Sequence, residues 1–347
     1  MASKPRRITQ REIARIAGVS QTTVSMVLND RDGSNVRIPE ETRARVKAAI
    51  EASTYVADPA ARRLAGLDNQ IVGVFTYEAA LSPESMDFYG PLLNGIERAA
   101  ERIGCDLLFF TSSPVEDGRR SLFHRKTRLR LADGCILLGQ QMDAAELERL
   151  VDERFPFVAV GRRDETEARV PYVGLDYVTP TLALVDRARE LGHERAVYLR
   201  RDRTSPTARD RLGAVETADA EARLAFAITG EGDLDGLAEL VRSHAATIVF
   251  AEDVFLAEDA IHALTTAGAA VPGEVSIAAL AEVRGHRTGE RALTGFRVPR
   301  ERVAAAALEL LQQLITAPAD EWDELDLQRV LQAEVEAGET LVERAAR

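Results

Sequence analysis

The sequence predicts an all-α helix-turn-helix head followed by an α/β body of two Rossmann-like lobes. Three observations carry this prediction. Residues 8–29 hold two short amphipathic stretches joined across Gly18, and from Ile71 onward short apolar runs alternate with amphipathic helical ones. A chain of 347 residues is also longer than one hydrophobic core ordinarily organises. The expected domains are 1–57 for the head, 58–66 for a short helical segment and 67–347 for the body. Within the body, lobe one is expected at about 67–170 and 298–347, and lobe two at about 173–295.

In the head, Ile13, Ala14, Ile16 and Ala17 form the narrow apolar stripe of a short helix. Thr9, with Glu12 three residues later, reads as a capping box. Gly18 stops this helix, Val19 makes a buried elbow, and Ser20 caps a second helix whose Val24, Val27 and Leu28 face inward. Two short helices across such a turn form the DNA-binding helix-turn-helix, whose second helix enters the major groove. The competing reading is an ordinary helical hairpin. Gln21, Thr22, Ser25 and Met26 point away from the stripe. Gln pairs bidentately with adenine, and Thr and Met methyls touch the thymine methyl. A third helix opens at Pro39-Glu40-Glu41, with acids near its positive end, and packs through Val46, Ala49 and Ile50. Its Arg43, Arg45 and Lys47 suit phosphates or solvent better than base edges.

In the body, candidate strands are 71–76, 106–111, 134–138, 157–160, 196–199, 224–229, 247–251 and 276–280. Helical stretches lie between them at 92–103, 144–154, 180–191, 234–244 and 256–267. Such alternation builds parallel sheets covered on both faces, with ligands at the carboxyl ends of the strands. For two lobes that place is the cleft between them. Strand-end position nominates Tyr77, Phe88, Tyr89 and Arg162 from lobe one, and Arg211, Glu252, Asp253 and Phe255 from lobe two. Tyr77, Phe88 and Tyr89 either stack on a sugar ring or belong to core or dimer packing. His193 reads as a helix-end cap. Asp320-Glu321-Trp322-Asp323-Glu324 reads as a solvated loop before a last β segment at 327–335, with no heptad run after it.

Charge sharpens the division. Residues 1–66 hold twelve Lys and Arg against seven Asp and Glu, so with a total of −12 the rest of the chain carries −17. A basic contact module on an acidic body confines nucleic-acid contact to one end. No apolar run approaches a membrane span and no apolar stretch follows the basic N-terminus, so a cytoplasmic protein is expected. Cys105 and Cys135 sit in apolar strand-like runs and read as reduced core thiols. No phosphate-binding glycine loop, zinc spacing or nucleophile elbow occurs. No enzyme activity, cofactor or metal is expected.

Ile13-Ala14, Ala17-Gly18-Val19-Ser20, Thr23-Val24-Ser25, Asn29, Pro39-Glu40-Glu41-Thr42-Arg43, Tyr55 and Ala61-Arg62-Arg63-Leu64 resemble the head of the LacI–GalR family of bacterial regulators. The body resembles that family more faintly, at Gly95-Ile96-Glu97, Val160-Gly161-Arg162, Leu191-Gly192-His193, Arg211-Leu212-Gly213 and Val275-Ser276-Ile277. The resemblance implies a body like a periplasmic sugar-binding protein, a homodimer on double-stranded operator DNA, and a small-molecule effector such as a sugar. It makes 58–65 a hinge helix that forms on the operator, with Leu64 wedged into the minor groove, as an apolar side chain that unstacks a base step would be. The DNA-contacting set it implies is Thr9, Ser20, Gln21, Thr22, Thr23, Ser25, Met26, Asn29, Arg43, Tyr55, Ala61 and Leu64. Arg211 matches the family arginine that reaches effector hydroxyls or a carboxylate; its alternative is a solvated charge.

Three departures stand out. The turn Asp30–Arg37 is longer than in common members, and Met26 replaces a longer polar residue. Ala281 stands where the family acid binds sugar hydroxyls. The expected function is therefore an effector-responsive repressor. The alternative is a ligand-independent regulator whose degenerate cleft serves dimerisation or a protein partner.

Overall fold

The computed structural model describes residues 8–28, 38–53, 55, 68–116, 118–201, 205–231 and 234–344. Asn29, the turn 30–37 and the hinge segment with Ala61 and Leu64 lie outside these residues. The chain divides into two compact units, Met1–Ile71 with Leu131–Asp133 and the remainder.

Three helices make the head: α1 (Gln10–Ala17), α2 (Gln21–Leu28) and α3 (Glu40–Glu51). They bury Ile13, Ala14, Ala17, Val24, Val27, Val46 and Ala49 against one another, with Val19, Ile50 and Tyr55 packed at the edge. Gly18 holds φ 67° and its N–H bonds the Ala14 carbonyl, a left-handed stop that disfavours any side chain. Ile16, predicted on the apolar stripe, is 52 % exposed instead. The capping box is also corrected: Thr9 makes no side-chain cap, and its carbonyl takes the first N–H groups.

The body has two six-stranded sheets. Lobe one holds β1 (Ile71–Thr76), β2 (Asp106–Phe109), β3 (Gly134–Leu138), β4 (Phe157–Val160) and β5 (Tyr172–Asp176). Lobe two holds β6 (Arg195–Arg200), β7 (Ala225–Glu231), β8 (Ile248–Ala251), β9 (Ser276–Glu282) and, after the small hairpin β10 (Arg287–Thr288) and β11 (Arg291–Ala292), β12 (Thr294–Arg297). The last two strands split: β13 (Gln328–Gln332) joins lobe one and β14 (Glu334–Glu336) joins lobe two. The orders are β13-β5-β4-β3-β1-β2 and β14-β12-β9-β8-β6-β7. Pairing is parallel along β13-β5-β4-β3-β1 and β12-β9-β8-β6-β7, while β14 runs antiparallel to β12.

The chain thus passes between lobes three times, at 176–178, 297–300 and 332–334. This moves the expected lobe boundaries. Residues 172–176 belong to lobe one, because they pair with β4 and β13, and the tail beyond 334 returns to lobe two. The single β segment expected at 327–335 is two strands in two sheets.

Helix α4 (Pro83–Ile103) packs on lobe one beside the helix Arg300–Thr316. At Gly95 a Cβ would run into the Glu301 backbone, so this close crossing requires glycine. Trp322, expected in a solvated loop, instead packs against the lobe-one core and donates its indole N–H to the Leu314 carbonyl at 3.0 Å. His193 is not a helix cap: Nδ1 meets Thr247 Oγ1 at 2.8 Å and Nε2 meets the Val342 carbonyl at 3.0 Å, tying the tail to lobe two. Cys105 and Cys135 are thiols outside any disulfide, and burial pushes the Cys135 thiol up.

Candidate nucleic-acid interface and interlobe cleft

The head exposes one face of α2 while burying the other. Ser20 Oγ accepts from the Thr23 N–H at 3.0 Å and meets Thr23 Oγ1 at 2.8 Å, which starts the helix and spends both hydroxyls locally. Ser20, Gln21 and Thr22 are exposed, whereas Thr23, Ser25 and Met26 are half-buried. Val24 and Val27 fix the helix orientation from below. Thr9 is exposed, Arg43 is half-buried on α3, and Arg45 and Lys47 are exposed. Tyr55 closes the head, its N–H bonded to Ser53 Oγ at 3.2 Å. The arrangement offers amide and hydroxyl groups at the start of a helix with cations nearby.

In the body, the nominated residues do not converge. Tyr77 is 1 % exposed and donates to Glu146 Oε2 at 3.2 Å. Tyr89 is 3 % exposed and donates to Glu78. Burial pushes both phenols up, and the carboxylates add to the effect. Neither ring is therefore a stacking platform, which corrects the sugar-stacking expectation for both. Phe88 is 40 % exposed, edge-on to Tyr89, with the Arg300 guanidinium 5.1 Å over its ring. Phe255 is 63 % exposed, edge-on to His286.

Arg211 is turned away from the expected ligand. It is 8 % exposed, donates to the Leu280 carbonyl at 2.6 Å and the Thr207 carbonyl at 3.0 Å, and lies 4.1 Å over the Tyr177 ring. Its fork is occupied by backbone that it secures, so its geometry here is structural. Glu252 accepts from the Arg201 N–H at 3.1 Å. Asp253 caps the helix Val254–Thr266 through the Leu256 N–H and binds Arg201 Nε at 2.7 Å. Beyond Ala281, the next acid, Glu282, accepts the Val298 N–H at 2.9 Å and so steadies a crossing between lobes.

Arg162 bridges the lobes. Its Nη1 and Nη2 meet both Asp210 oxygens, at 3.1 and 2.9 Å, while Nε meets Asp164 at 2.9 Å. Arg209 returns the contact from lobe two, 2.9 Å from Asp164. Each lobe thus gives one Arg and one Asp to a reciprocal clasp. Burial works to raise the Asp164 carboxyl, but the Arg209 and Arg162 guanidiniums together hold it below the usual range. Asp210 and Arg209, both missed in the sequence, were hidden because a one-residue helical offset decides which neighbour of Arg211 faces the other lobe.

A recess of about 300 Å³ opens at the carboxyl ends of the lobe-one strands, lined by Tyr77, Ser113, Arg120, Ser121, Asp143 and Glu146 among others. Arg120, also missed, donates Nη1 to the Glu78 carbonyl at 2.7 Å and to Thr76 Oγ1 at 3.1 Å. Its Nε, Ser113 Oγ and Arg163 Nε are buried without a hydrogen-bond partner among the described residues. Among the described residues no helix is long and apolar enough to cross a membrane, and no cluster of metal-ligating side chains forms.

A helix-turn-helix head in front of a two-lobed parallel α/β body defines a DNA-binding transcription regulator. Residues 9–58 match the family described as bacterial regulatory proteins, lacI family, and 185–340 match the periplasmic binding protein-like domain; together these span more than half of the chain. The chain thus carries a lacI-family DNA-binding head and a periplasmic binding protein-like domain. It is 28 % identical over 311 residues to the HTH-type transcriptional regulator GalR of Salmonella typhimurium (strain SL1344), covering 87 % of this chain and 88 % of that protein. Its fold is similar to that of a lac repressor dimer bound to operator and the anti-inducer ONPF (TM-score 0.69, 18 % identity, covering 97 % and 100 % of the two chains). It is also similar to that of a transcriptional regulator CelR–cellobiose complex (TM-score 0.61, 22 % identity, covering 96 % and 100 %).

Proposed function

We propose that this regulator is a cytoplasmic, non-enzymatic repressor that binds a pseudo-palindromic operator as a homodimer and releases or grips it in response to a small polar effector. The observation that carries the DNA half is the exposed Gln21–Thr22 start of a helix whose other face is locked into the head core. Gln21, Thr22 and Met26 read base edges, while Thr9, Ser20, Thr23, Ser25, Asn29, Arg43 and Tyr55 set the register on the backbone. The segment 58–66 is the hinge, with Ala61 and Leu64 at the minor groove.

The effector half rests on the orphaned polar atoms of Ser113 and Arg120, which line the recess at the lobe-one strand ends, since buried polar groups are normally satisfied. A hydroxyl-rich molecule such as a sugar, the kind of ligand held by the CelR structure, supplies acceptors and donors for them. Closure of the cleft over it shifts the lobes between two arrangements and so the order of the hinge. Selection of duplexes from a random pool, then thermal melting with a panel of sugars, tests the reading. A recovered palindrome and one sugar that raises Tm and alters operator affinity are expected. A panel without effect on Tm, alongside intact operator binding, favours the ligand-independent alternative that Ala281 motivates.

A further inference from the structure

The crossover from β2 to β3 walls the recess at the lobe-one strand ends. Among the described residues of 110–128 it has no α-helix, only a bridge between Glu116 and Arg119. Connections this long without a helix are uncommon in compact domains and tend to be functional. Ser113, Glu116, Arg119, Arg120 and His124 of this segment line the recess, facing the same space as Tyr77, Asp143 and Glu146.

The acceptors of that lining are engaged by the protein's own donors. Glu146 accepts from the Tyr77 hydroxyl at 3.2 Å, from Ser121 Oγ at 2.5 Å, and from the Leu122 and Phe123 N–H groups at 3.1 and 3.4 Å. Asp143 caps the helix that follows it, accepting the Glu146 N–H at 3.1 Å. What stays uncommitted is donors. Ser113 is 3 % exposed and its Oγ has no hydrogen-bond partner among the described residues. Arg120 Nη1 donates to Thr76 and to the Glu78 carbonyl, which fixes the guanidinium, but its buried Nε has no partner there. His124 Nδ1 accepts the Lys126 N–H at 3.3 Å, which leaves Nε2 as the donor of the ring. Arg119 is exposed and, among the described residues, has no ion pair, although the exposed Arg102, Arg187 and Arg242 do pair.

We propose that the recess takes a polyhydroxylated anion, a sugar acid or a sugar phosphate, with its oxyanion held by Arg119, Arg120 and Ser113. The assignment depends on the recess being an effector site and narrows that effector to a charged molecule. Guanidinium bonds to a carboxylate or phosphate are roughly twice as strong as neutral ones, and the planar fork suits their oxygens. A neutral sugar leaves the half-buried charge of Arg120 uncompensated. An oxyanion compensates it and brings acceptors for Nε and the Ser113 hydroxyl. Glu116, exposed on the same lining, is the acid that would favour a cationic ligand, so amino sugars belong in the test.

The test is thermal melting and then calorimetric titration of the full chain with glucose, galactose and ribose. Each is compared with its acid and phosphate, and the two hexoses also with their amino sugars. At least one anion is expected to bind at least about tenfold tighter than its parent sugar, and Arg119→Gln to lose at least about tenfold of that affinity, as one charge-assisted bond implies. Ser113→Ala is expected to weaken the same anion while holding or raising the Tm of the free protein, because it removes an unsatisfied buried hydroxyl. Arg125→Gln, equally exposed but outside the recess lining, binds as the wild type does. The acid and phosphate arms separate the two sources of the oxyanion. Tighter binding of the neutral or amino sugars than of every anion overturns the proposal and leaves the effector reading standing. An anion that binds wild type and Arg119→Gln equally also overturns it. No binding by any member of the panel refutes the effector reading and the proposal together.

Discussion

Gln21 is the side chain with the most specific expected base contact. It is exposed at the start of a helix held by Val24 and Val27, so Gln21→Ala should cost about 1–3 kcal/mol on the selected operator and relax preference at one base pair per half-site. Competition against single-substituted duplexes measures this. His193 makes a different prediction. Burial holds its pKa below the ordinary imidazole value despite the Val342 carbonyl, so the folded protein takes up its proton less readily than the unfolded chain. Its contribution is complete above the unfolded pKa, near 6.5, and is lost as pH falls below it. Tm of the wild type should fall between pH 7 and 5 more steeply than that of His193→Gln, measured by calorimetry. Residue identity alone nominated Gln21 but pointed to neither Arg120 nor Asp210. Those two act through where a strand end or a helix turn places them, and no local motif encodes that.

Single elements were readable wherever one periodicity dominated. The α2 stripe, most of the α1 stripe, the Gly18 stop and the eight expected strands are set by local sequence, and the structure has them within a few residues. The strands Tyr172–Asp176 and Thr294–Arg297 and the helix Pro206–Ala220 were not anticipated. The final β segment was misread because its alternation continues through Gln332, while the change of sheet there depends on partners far away in sequence. Tyr77 and Tyr89 were misread for a similar reason: an aromatic at a strand end looks the same whether its hydroxyl meets a ligand or a buried carboxylate. Gly95→Ala tests the close helix crossing, and overpacking against Glu301 should destabilise the body by about 1–3 kcal/mol in a denaturant titration. For the segment 58–66, Leu64→Ala should weaken operator binding while leaving the melting of the body unchanged.

Across the whole body, the Arg162–Asp210 and Arg209–Asp164 pairs make closure partly a property of the chain itself. Substituting Arg162 and Asp210 singly and together should give a coupling energy between about 0.5 and 3 kcal/mol, and exchanging the two charges should restore part of what either single change removes. Small-angle scattering on the same variants should show the lobes apart when the clasp is cut. That the protein has two lobes followed from its alternation, but the state of the cleft did not, because interlobe contacts pair residues from separate helices and strand ends.

Sequence-specific operator binding by a dimer is tested by affinity for the selected palindrome and for a scrambled duplex of equal length, titrated across salt. One dimer per site, at least about 10³-fold preference for the palindrome at physiological salt, and a steep loss of affinity for both duplexes as salt rises are expected. Equal affinity for the two duplexes at every salt concentration would contradict sequence-specific binding.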